Sequence, residues 1–219
     1  MKIKAIITGS TGMVGEGVLH ECLNHPDVES ILVINRRKCR VTNSKLEEII
    51  HKDFSDFGNI EDKLSGYNAA FLCMGVSSVG MNEEKFTHLT YDLIMALARP
   101  LSKLNSDMTL CYVSGIGTDS SEKGRIMWAR VKGKTENDLL KLPFKQAYMI
   151  RAGIISPTKG LKHTYKSYKI INPILPTIRM IFPSYISSLK EVGLAMINSV
   201  DKGYNKQILS VKDIVKLAN

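Results

Sequence analysis

Three glycines lie between a β-type run and a helical pattern at the start of the chain, and they constrain the fold more than any other feature. The β-type run over residues 2–7 leads into a turn with Gly9, Gly12 and Gly15, and apolar residues at helical spacing follow at once. Gly9 lets the chain turn tightly off the strand, Gly12 lets backbone approach a pyrophosphate, and Gly15 lets the helix lie close to the sheet. The N-terminus of that helix offers free N–H groups to the phosphates. The pattern therefore predicts a nucleotide site, with a plain strand-to-helix connection as the alternative.

Apolar runs alternate with helical patterns along the first 155 residues. Helices are predicted over about 13–23, 86–104 and 126–140, and a short strand over 48–51. The other predicted strands cover 5–8, 30–34, 69–74, 109–114 and 147–152. Because strands and helices alternate, we expect an α/β fold with a doubly wound parallel sheet and helices on both faces.

The length and composition predict one domain over residues 1–219, with residues 156–219 forming a small cap on the substrate side. The apolar residues around 170–182 could instead serve plain packing or a partner surface. The chain starts directly with a strand and has no apolar run of bilayer length, so we expect no signal peptide and a cytoplasmic location. Four widely spaced cysteines and five scattered histidines predict reduced thiols and no metal site.

The net charge of +9 is distributed unevenly along the chain. Residues 1–118 hold 12 Lys and Arg against 14 Asp and Glu, whereas residues 119–219 hold 18 against 7. This basic half favours anionic ligands such as a dinucleotide, although a solvated basic face explains it as well. Nucleic acid or a membrane surface is a less favoured partner, because no nucleic-acid-binding motif is present.

With the sheet pattern in place, the glycine turn resembles the TGxxGxxG motif of the short-chain dehydrogenase/reductase superfamily, specifically its atypical, epimerase-like members with an NAD(P)-binding Rossmann fold. The segment 112–118 further resembles the Tat-interacting-protein-like oxidoreductases of that superfamily. The resemblance covers roughly the first 155 residues and implies that the turn binds the cofactor through Thr8, Gly9, Thr11, Gly12, Met13, Val14 and Gly15.

Further matches follow in the order that the superfamily has them. Asp53 and Phe54 resemble the residues that such folds place beside the adenine ring, and residues 151–153 resemble the turn after the sixth strand of extended members. The small-residue turn that passes the nicotinamide ribose is matched by Cys73, Met74 and Gly75. These matches imply a dinucleotide and a small-molecule substrate as partners.

Arg36 and Arg37 follow the second strand, where an NAD site normally has an acidic residue that binds the ribose 2′-hydroxyl. An arginine at this place forks onto a 2′-phosphate instead. The pair therefore predicts NADP(H), with NAD(H) less favoured. Arginines of a solvated loop are the alternative.

The catalytic pattern of the superfamily is incomplete in this chain. The resemblance implies that Ser114 orients a substrate carbonyl and that Lys132 holds the nicotinamide ribose, but Trp128 occupies the position of the usual catalytic tyrosine. An indole N–H donates a hydrogen bond but does not ionise usefully near neutral pH. A second pair with the right spacing, Tyr165 and Lys169, lies beyond the sixth strand, where the superfamily does not place the motif.

Two functions therefore stay open. The first is an NADP(H)-dependent oxidoreductase or epimerase-like enzyme that acts on a small carbonyl or sugar-type substrate and takes its proton from water or another side chain. The second is an NADP(H)-binding sensor or scaffold without turnover, which Trp128 favours. The helices over 86–104 and 126–140 could also form a homodimer face, as they do in relatives.

Overall fold

The computed structural model describes residues 1–158, 160–161 and 175–219. In this part of the chain, seven parallel strands form one sheet in the order β3-β2-β1-β4-β5-β6-β9. A separate parallel pair is formed by β7 and β8. The strands are β1 Ile3–Thr8, β2 Val28–Asn35, β3 Leu46–Ile50, β4 Ala69–Leu72, β5 Thr109–Val113, β6 Gln146–Ile150, β7 Ile154–Ser156, β8 Ile186–Ser188 and β9 Ile208–Leu209.

Helices cover both faces of the sheet, as the alternating pattern predicts. The helices are α1 Met13–Asn24, a 3-10 helix Gly58–Leu64, α2 Glu83–Thr87, a π-helical turn His88–Asp92, α3 Leu93–Leu104, α4 Met127–Leu140, α5 Leu175–Ile181, α6 Leu189–Asp201 and α7 Val211–Ala218. Residues of α1, α6 and α7 pack on one face, and residues of the 3-10 helix, α3 and α4 pack on the other. The doubly wound α/β fold is therefore confirmed.

The helix predicted over 86–104 begins earlier than its apolar pattern. Asn82 caps α2 at Glu83, since its side chain accepts a hydrogen bond from the backbone N–H of Lys85 at 3.0 Å. The chain then continues through the π-helical turn into α3.

The end of the chain belongs to the layers of the sheet. Helix α6 packs against α1, where a Cβ added at Gly17 would lie 3.0 Å from the side chain of Leu189. Strand β9 pairs with β6 as the seventh strand. Residues from 189 onward thus extend the sheet and its helices, unlike the small cap that the sequence predicts for 156–219. Part of that predicted cap, including residues 162–174, lies outside the described residues.

The two faces of β5 contribute to different cores. Tyr112 is fully buried on the face of α3 and α4, and Val113 is buried on the opposite face. Within the described residues, no helix is both long enough and apolar enough to cross a membrane.

Candidate functional site

A cavity of about 540 Å³ opens at the carboxyl ends of β1, β2 and β4. This is the point where the strand order reverses, because β1 pairs with β2 on one side and with β4 on the other. Ligands of open α/β sheets bind at such a point. The cavity is lined by Gly9, Thr11, Gly12, Ile34, Asn35, Arg36, Arg37, Phe54, Cys73, Met74, Gly75, Val76, Leu89 and Leu93.

The glycine turn forms one wall of this cavity. Gly9 has φ +74°, and a Cβ there would lie 2.7 Å from the carbonyl carbon of Cys73. A Cβ at Gly15 would lie 2.1 Å from the Gly9 carbonyl oxygen, so α1 packs directly on the turn. Gly12 differs from both, because its backbone is extended and an added Cβ would meet only the Gly9 oxygen, at 3.4 Å. The fold would therefore tolerate a side chain at position 12, whereas a side chain there would take space from the cavity.

Helix α1 begins beside this wall. Its N-terminal cap is Gly12, so among the described residues no cap side chain bonds to the first N–H groups of the helix, and they can serve a ligand. The remaining residues of the predicted motif do not line the cavity. Thr8 is fully buried and its hydroxyl has no hydrogen-bond partner among the described residues, while Met13 and Val14 pack against the core.

Arg36 and Arg37 follow β2 directly, are exposed and line the cavity. The residue before them, Asn35, is buried and takes part in a hydrogen-bond chain. The Ser10 hydroxyl donates to Asn35 Oδ1 at 3.0 Å, and Asn35 Nδ2 donates to Glu48 Oε1 at 2.9 Å. Asn35 thus stands at the end of β2, where an NAD site normally has an acidic residue.

Phe54 lines the cavity and Asp53 does not. The Phe54 ring packs edge-on against Phe57, with centroids 5.4 Å apart. The Asp53 carboxylate is exposed and accepts hydrogen bonds from the hydroxyl and the backbone N–H of Ser55, which lower its pKa. Asp53 therefore stabilises its own turn, outside the cavity lining.

The turn after β4 supplies Cys73, Met74 and Gly75 to the cavity, beside the glycine turn. A Cβ added at Gly75 would meet nothing within 4 Å. Burial raises the pKa of the Cys73 thiol, with a smaller contribution from Cys111, so the thiol stays protonated and unreactive.

Leu89 and Leu93 complete the lining, and sequence reasoning missed them. Their spacing of four residues is typical of a helix side that packs in the core. They line the cavity because the π-helical turn and the start of α3 lie beside it.

Ser114, Lys132 and Trp128 lie on neighbouring elements outside the cavity lining. Ser114 follows β5, and its buried hydroxyl donates to Oε1 of Glu136, which is fully buried on α4. Arg151, just after β6, completes this network, because its Nε donates to both Glu136 oxygens at 3.1 Å. The Ser114 hydroxyl hydrogen is thus used within the protein.

Lys132 lies one helical turn before Glu136. Its half-buried side chain places Nζ 5.8 Å from the centre of the Tyr112 ring. Desolvation lowers the pKa of Lys132 to about 8, against an opposing effect of the Glu136 carboxylate. Lys132 is therefore protonated near neutral pH and close to its titration.

Trp128 lies at the start of α4 and packs on the turn that contains Gly117. A Cβ added at Gly117, where φ is +86°, would lie 3.2 Å from the edge of the indole ring. The second tyrosine and lysine pair, Tyr165 and Lys169, lies outside the described residues. Within the part of the chain that the structure describes, no group of three or more His, Cys, Asp or Glu is placed to hold a metal ion.

Comparison with known families and proteins supports a dinucleotide-binding fold. The model of the NAD dependent epimerase/dehydratase family matches residues 5–114. A protein named FMP52, mitochondrial, from Meyerozyma guilliermondii is 25% identical over 201 residues, which cover 89% of this chain and 84% of the relative. The FMP52 protein of Candida albicans, also named mitochondrial, is 25% identical over 234 residues and covers 99% of both chains. The expectation of a cytoplasmic location is therefore wrong, because these relatives are named mitochondrial.

Solved structures share the fold at low sequence identity. Gre2 of Candida albicans in complex with NADPH aligns with a TM-score of 0.68 at 14% identity, over 98% of this chain and 81% of that chain. WbmF of Bordetella bronchiseptica in complex with NAD+ aligns with a TM-score of 0.66 at 12% identity, over 100% of this chain and 78% of that chain. Both similarities establish the fold, and the fold carries either dinucleotide.

Proposed function

Because the chain belongs to the NAD dependent epimerase/dehydratase family, we propose that it is an NADP(H)-binding oxidoreductase whose cofactor lies in the cavity at the strand ends. The observation that supports this most directly is the convergence of the glycine turn, the open N-terminus of α1 and the pair Arg36 and Arg37 on one cavity. Its volume of about 540 Å³ lies within the range of cofactor sites, roughly 300–1,000 Å³. The residues present therefore fit a dinucleotide.

The glycine turn and α1 are proposed to hold the pyrophosphate. Gly12 leaves space in the cavity, and the first N–H groups of α1 supply hydrogen bonds and a partial positive charge. Thr11 lines the same wall and places a hydroxyl near these groups.

Arg36 and Arg37 are proposed to bind the adenosine 2′-phosphate. Both residues directly follow β2 and line the cavity. A guanidinium group binds phosphate through two parallel hydrogen bonds. Asn35 carries no negative charge that would repel this phosphate. The proposed preference for NADP(H) over NAD(H) rests on these three residues.

The nicotinamide end is assigned to the turn after β4, with Lys132 and Ser114 beyond it. The bound cofactor would supply hydride transfer with a small carbonyl or sugar-type substrate. Lys132, protonated at neutral pH, would hold a ribose hydroxyl and adds positive charge to this end of the site. Because its hydrogen is donated to Glu136, Ser114 would accept a hydrogen bond from a substrate hydroxyl, and in this arrangement it would not donate to a substrate carbonyl as the resemblance implies.

The proposed chemistry lacks the usual proton donor of the superfamily. Trp128 has no ionisable group, so the usual phenol is missing from α4. We therefore expect slow turnover of generic carbonyl substrates. The same observation, with the Ser114 hydroxyl tied to Glu136, favours the second candidate function, a sensor or scaffold that binds NADP(H) without turnover.

Calorimetric titration with NADPH, NADP, NADH and NAD tests the proposal. The wild-type protein should bind NADPH at least about tenfold more tightly than NADH, a difference of about 1.4 kcal/mol. Arg36→Ala and Arg37→Ala should reduce this preference and leave NADH binding unchanged. Lys38→Ala, next to the pair and outside the cavity lining, is the matched control. Equal affinities for the two dinucleotides in the wild-type protein would contradict the proposal.

The compartment is proposed to be the mitochondrion, because the FMP52 relatives are named mitochondrial. Expression of a fluorescent fusion in yeast, imaged with a mitochondrial dye, tests this placement. A signal spread evenly through the cytosol would contradict it.

A further inference from the structure

The loop that carries Arg36 and Arg37 is held at Cys39 by the half-buried carboxylate of Glu48. Residues 36–45 connect β2 to β3 without forming a helix or strand. Within this loop, Cys39 is buried, and its backbone N–H donates to Glu48 Oε1 at 2.8 Å. The anchor lies two residues after Arg37, so it restrains the direction in which both arginines leave the sheet.

Glu48 also connects this loop to the glycine turn. The same oxygen, Oε1, accepts a hydrogen bond from Asn35 Nδ2, and Asn35 Oδ1 accepts one from the Ser10 hydroxyl. Ser10 stands between Gly9 and Thr11, which line the cavity. A continuous chain of hydrogen bonds thus joins the glycine turn, the end of β2 and the loop over residues 36–45.

Strand pairing fixes the position of Glu48. Glu48 lies on β3 opposite Val33, and the backbone N–H of His51 donates to the Asn35 carbonyl at 2.8 Å. Burial by itself would raise the pKa of Glu48, but the hydrogen bonds from Cys39 and Asn35 lower it by more. The side chain is therefore a carboxylate near neutral pH, and charge-assisted hydrogen bonds of this kind are stronger than neutral ones.

Glu48 does not line the cavity. An acidic group at the end of β2 or β3 would favour a ribose hydroxyl and repel a 2′-phosphate. Here Oε1 of the carboxylate accepts hydrogen bonds from Asn35 and Cys39, and among the described residues that line the cavity the charged ones are Arg36 and Arg37.

We propose that Glu48 is a positioning residue for cofactor selectivity: it holds the Cys39 loop so that Arg36 and Arg37 meet the 2′-phosphate of NADPH. The inference rests on the proposed function, because it needs NADPH to lie in this cavity. It adds a residue that touches no part of the cofactor and that sets the preference between two dinucleotides.

Four proteins titrated with NADPH and NADH test this role: wild type, Glu48→Ala, Glu48→Gln and Glu48→Asp. Alanine removes both hydrogen bonds, and aspartate keeps the charge but is too short to reach both donors. Glu48→Ala and Glu48→Asp should each weaken NADPH binding by about tenfold, the effect of losing one hydrogen bond between an arginine and the charged 2′-phosphate. NADH binding should change less than about twofold. Glutamine keeps an acceptor oxygen and should retain most of the preference.

Glu47→Gln is the matched control, since Glu47 is the exposed neighbour on the same strand. Thermal unfolding of each variant confirms that it is folded, and Glu48→Asp carries the test if Glu48→Ala does not fold. A wild-type protein without preference for NADPH would overturn the proposed function and this inference together. A wild-type preference that persists in Glu48→Ala or Glu48→Asp would overturn the inference alone.

Discussion

Replacement of Glu136 by alanine should destabilise the protein more than the loss of any surface ion pair. The Glu136 carboxylate is 0% exposed, while its partner Arg151 keeps 21% of its side-chain surface exposed. It accepts hydrogen bonds from Arg151 Nε, at 3.1 Å to each oxygen, and from the Ser114 hydroxyl. The network thus ties α4 to the ends of β5 and β6, and alanine leaves a half-buried guanidinium and a buried hydroxyl without this acceptor.

The magnitude follows from burial. Removal of one partner from a buried ion pair costs about 3–5 kcal/mol, because the remaining charge stays desolvated. In a domain of this size, 1 kcal/mol corresponds to roughly 2–4 °C in Tm, so Glu136→Ala should lower Tm by roughly 6–20 °C. Glu83, whose side chain is 53% exposed, pairs with Arg130 at 2.7 Å, and Glu83→Ala should cost less than about 1 kcal/mol.

Urea unfolding followed by the fluorescence of Trp128, the single tryptophan of the chain, measures both variants. The double variant Glu136→Ala/Arg151→Ala should recover part of the loss, since it removes the unpaired charge. A Glu136→Ala protein that loses no more stability than Glu83→Ala would refute the reasoning, because the carboxylate would then not hold the three elements together.

Three further predictions test the turn, the missing phenol and the buried lysine. Gly9→Ala should fail to fold or lose more than about 2 kcal/mol in urea unfolding, because of its positive φ and the Cys73 contact, whereas Gly12→Ala should keep its Tm and lose at least about tenfold in NADPH affinity. Equal behaviour of the two variants would contradict this. Trp128→Tyr should raise NADPH oxidation with generic carbonyl substrates by on the order of 100-fold, and an unchanged rate would argue against a missing proton donor. The pKa of Lys132 is lowered to about 8 in the folded protein, against 10.5 in the unfolded chain. Between about pH 8 and 10.5 the unfolded chain therefore keeps a proton on Lys132 that the folded chain has lost. The stability of the wild type relative to Lys132→Met should therefore rise with pH across that window, and a constant difference in urea unfolding would contradict it.

Local patterns predict the part of the site that depends on strand ends. The glycine turn, Arg36, Arg37 and the turn after β4 all follow buried strands, and parallel strands bring such residues to one edge of the sheet. The predicted strands over 69–74 and 109–114 are slightly too long, since β4 ends at Leu72 and β5 at Val113. The residues that follow these ends are loop residues.

Contacts between distant segments explain what the sequence does not predict. Strand β9 has two residues, too few for a periodic pattern, and only its pairing with β6 defines it. The bonds of Glu48 to Cys39 and of Glu136 to Arg151 depend on the packing of the elements, and in the sequence a carboxylate that makes such bonds cannot be distinguished from a surface acid.

A crystal structure of the protein with NADPH tests the central claim most directly. We expect the pyrophosphate at the N-terminus of α1, beside Gly12, and the 2′-phosphate within hydrogen-bond distance of Arg36 or Arg37. A 2′-phosphate that points into solvent away from both arginines, or a dinucleotide bound elsewhere on the protein, would contradict it.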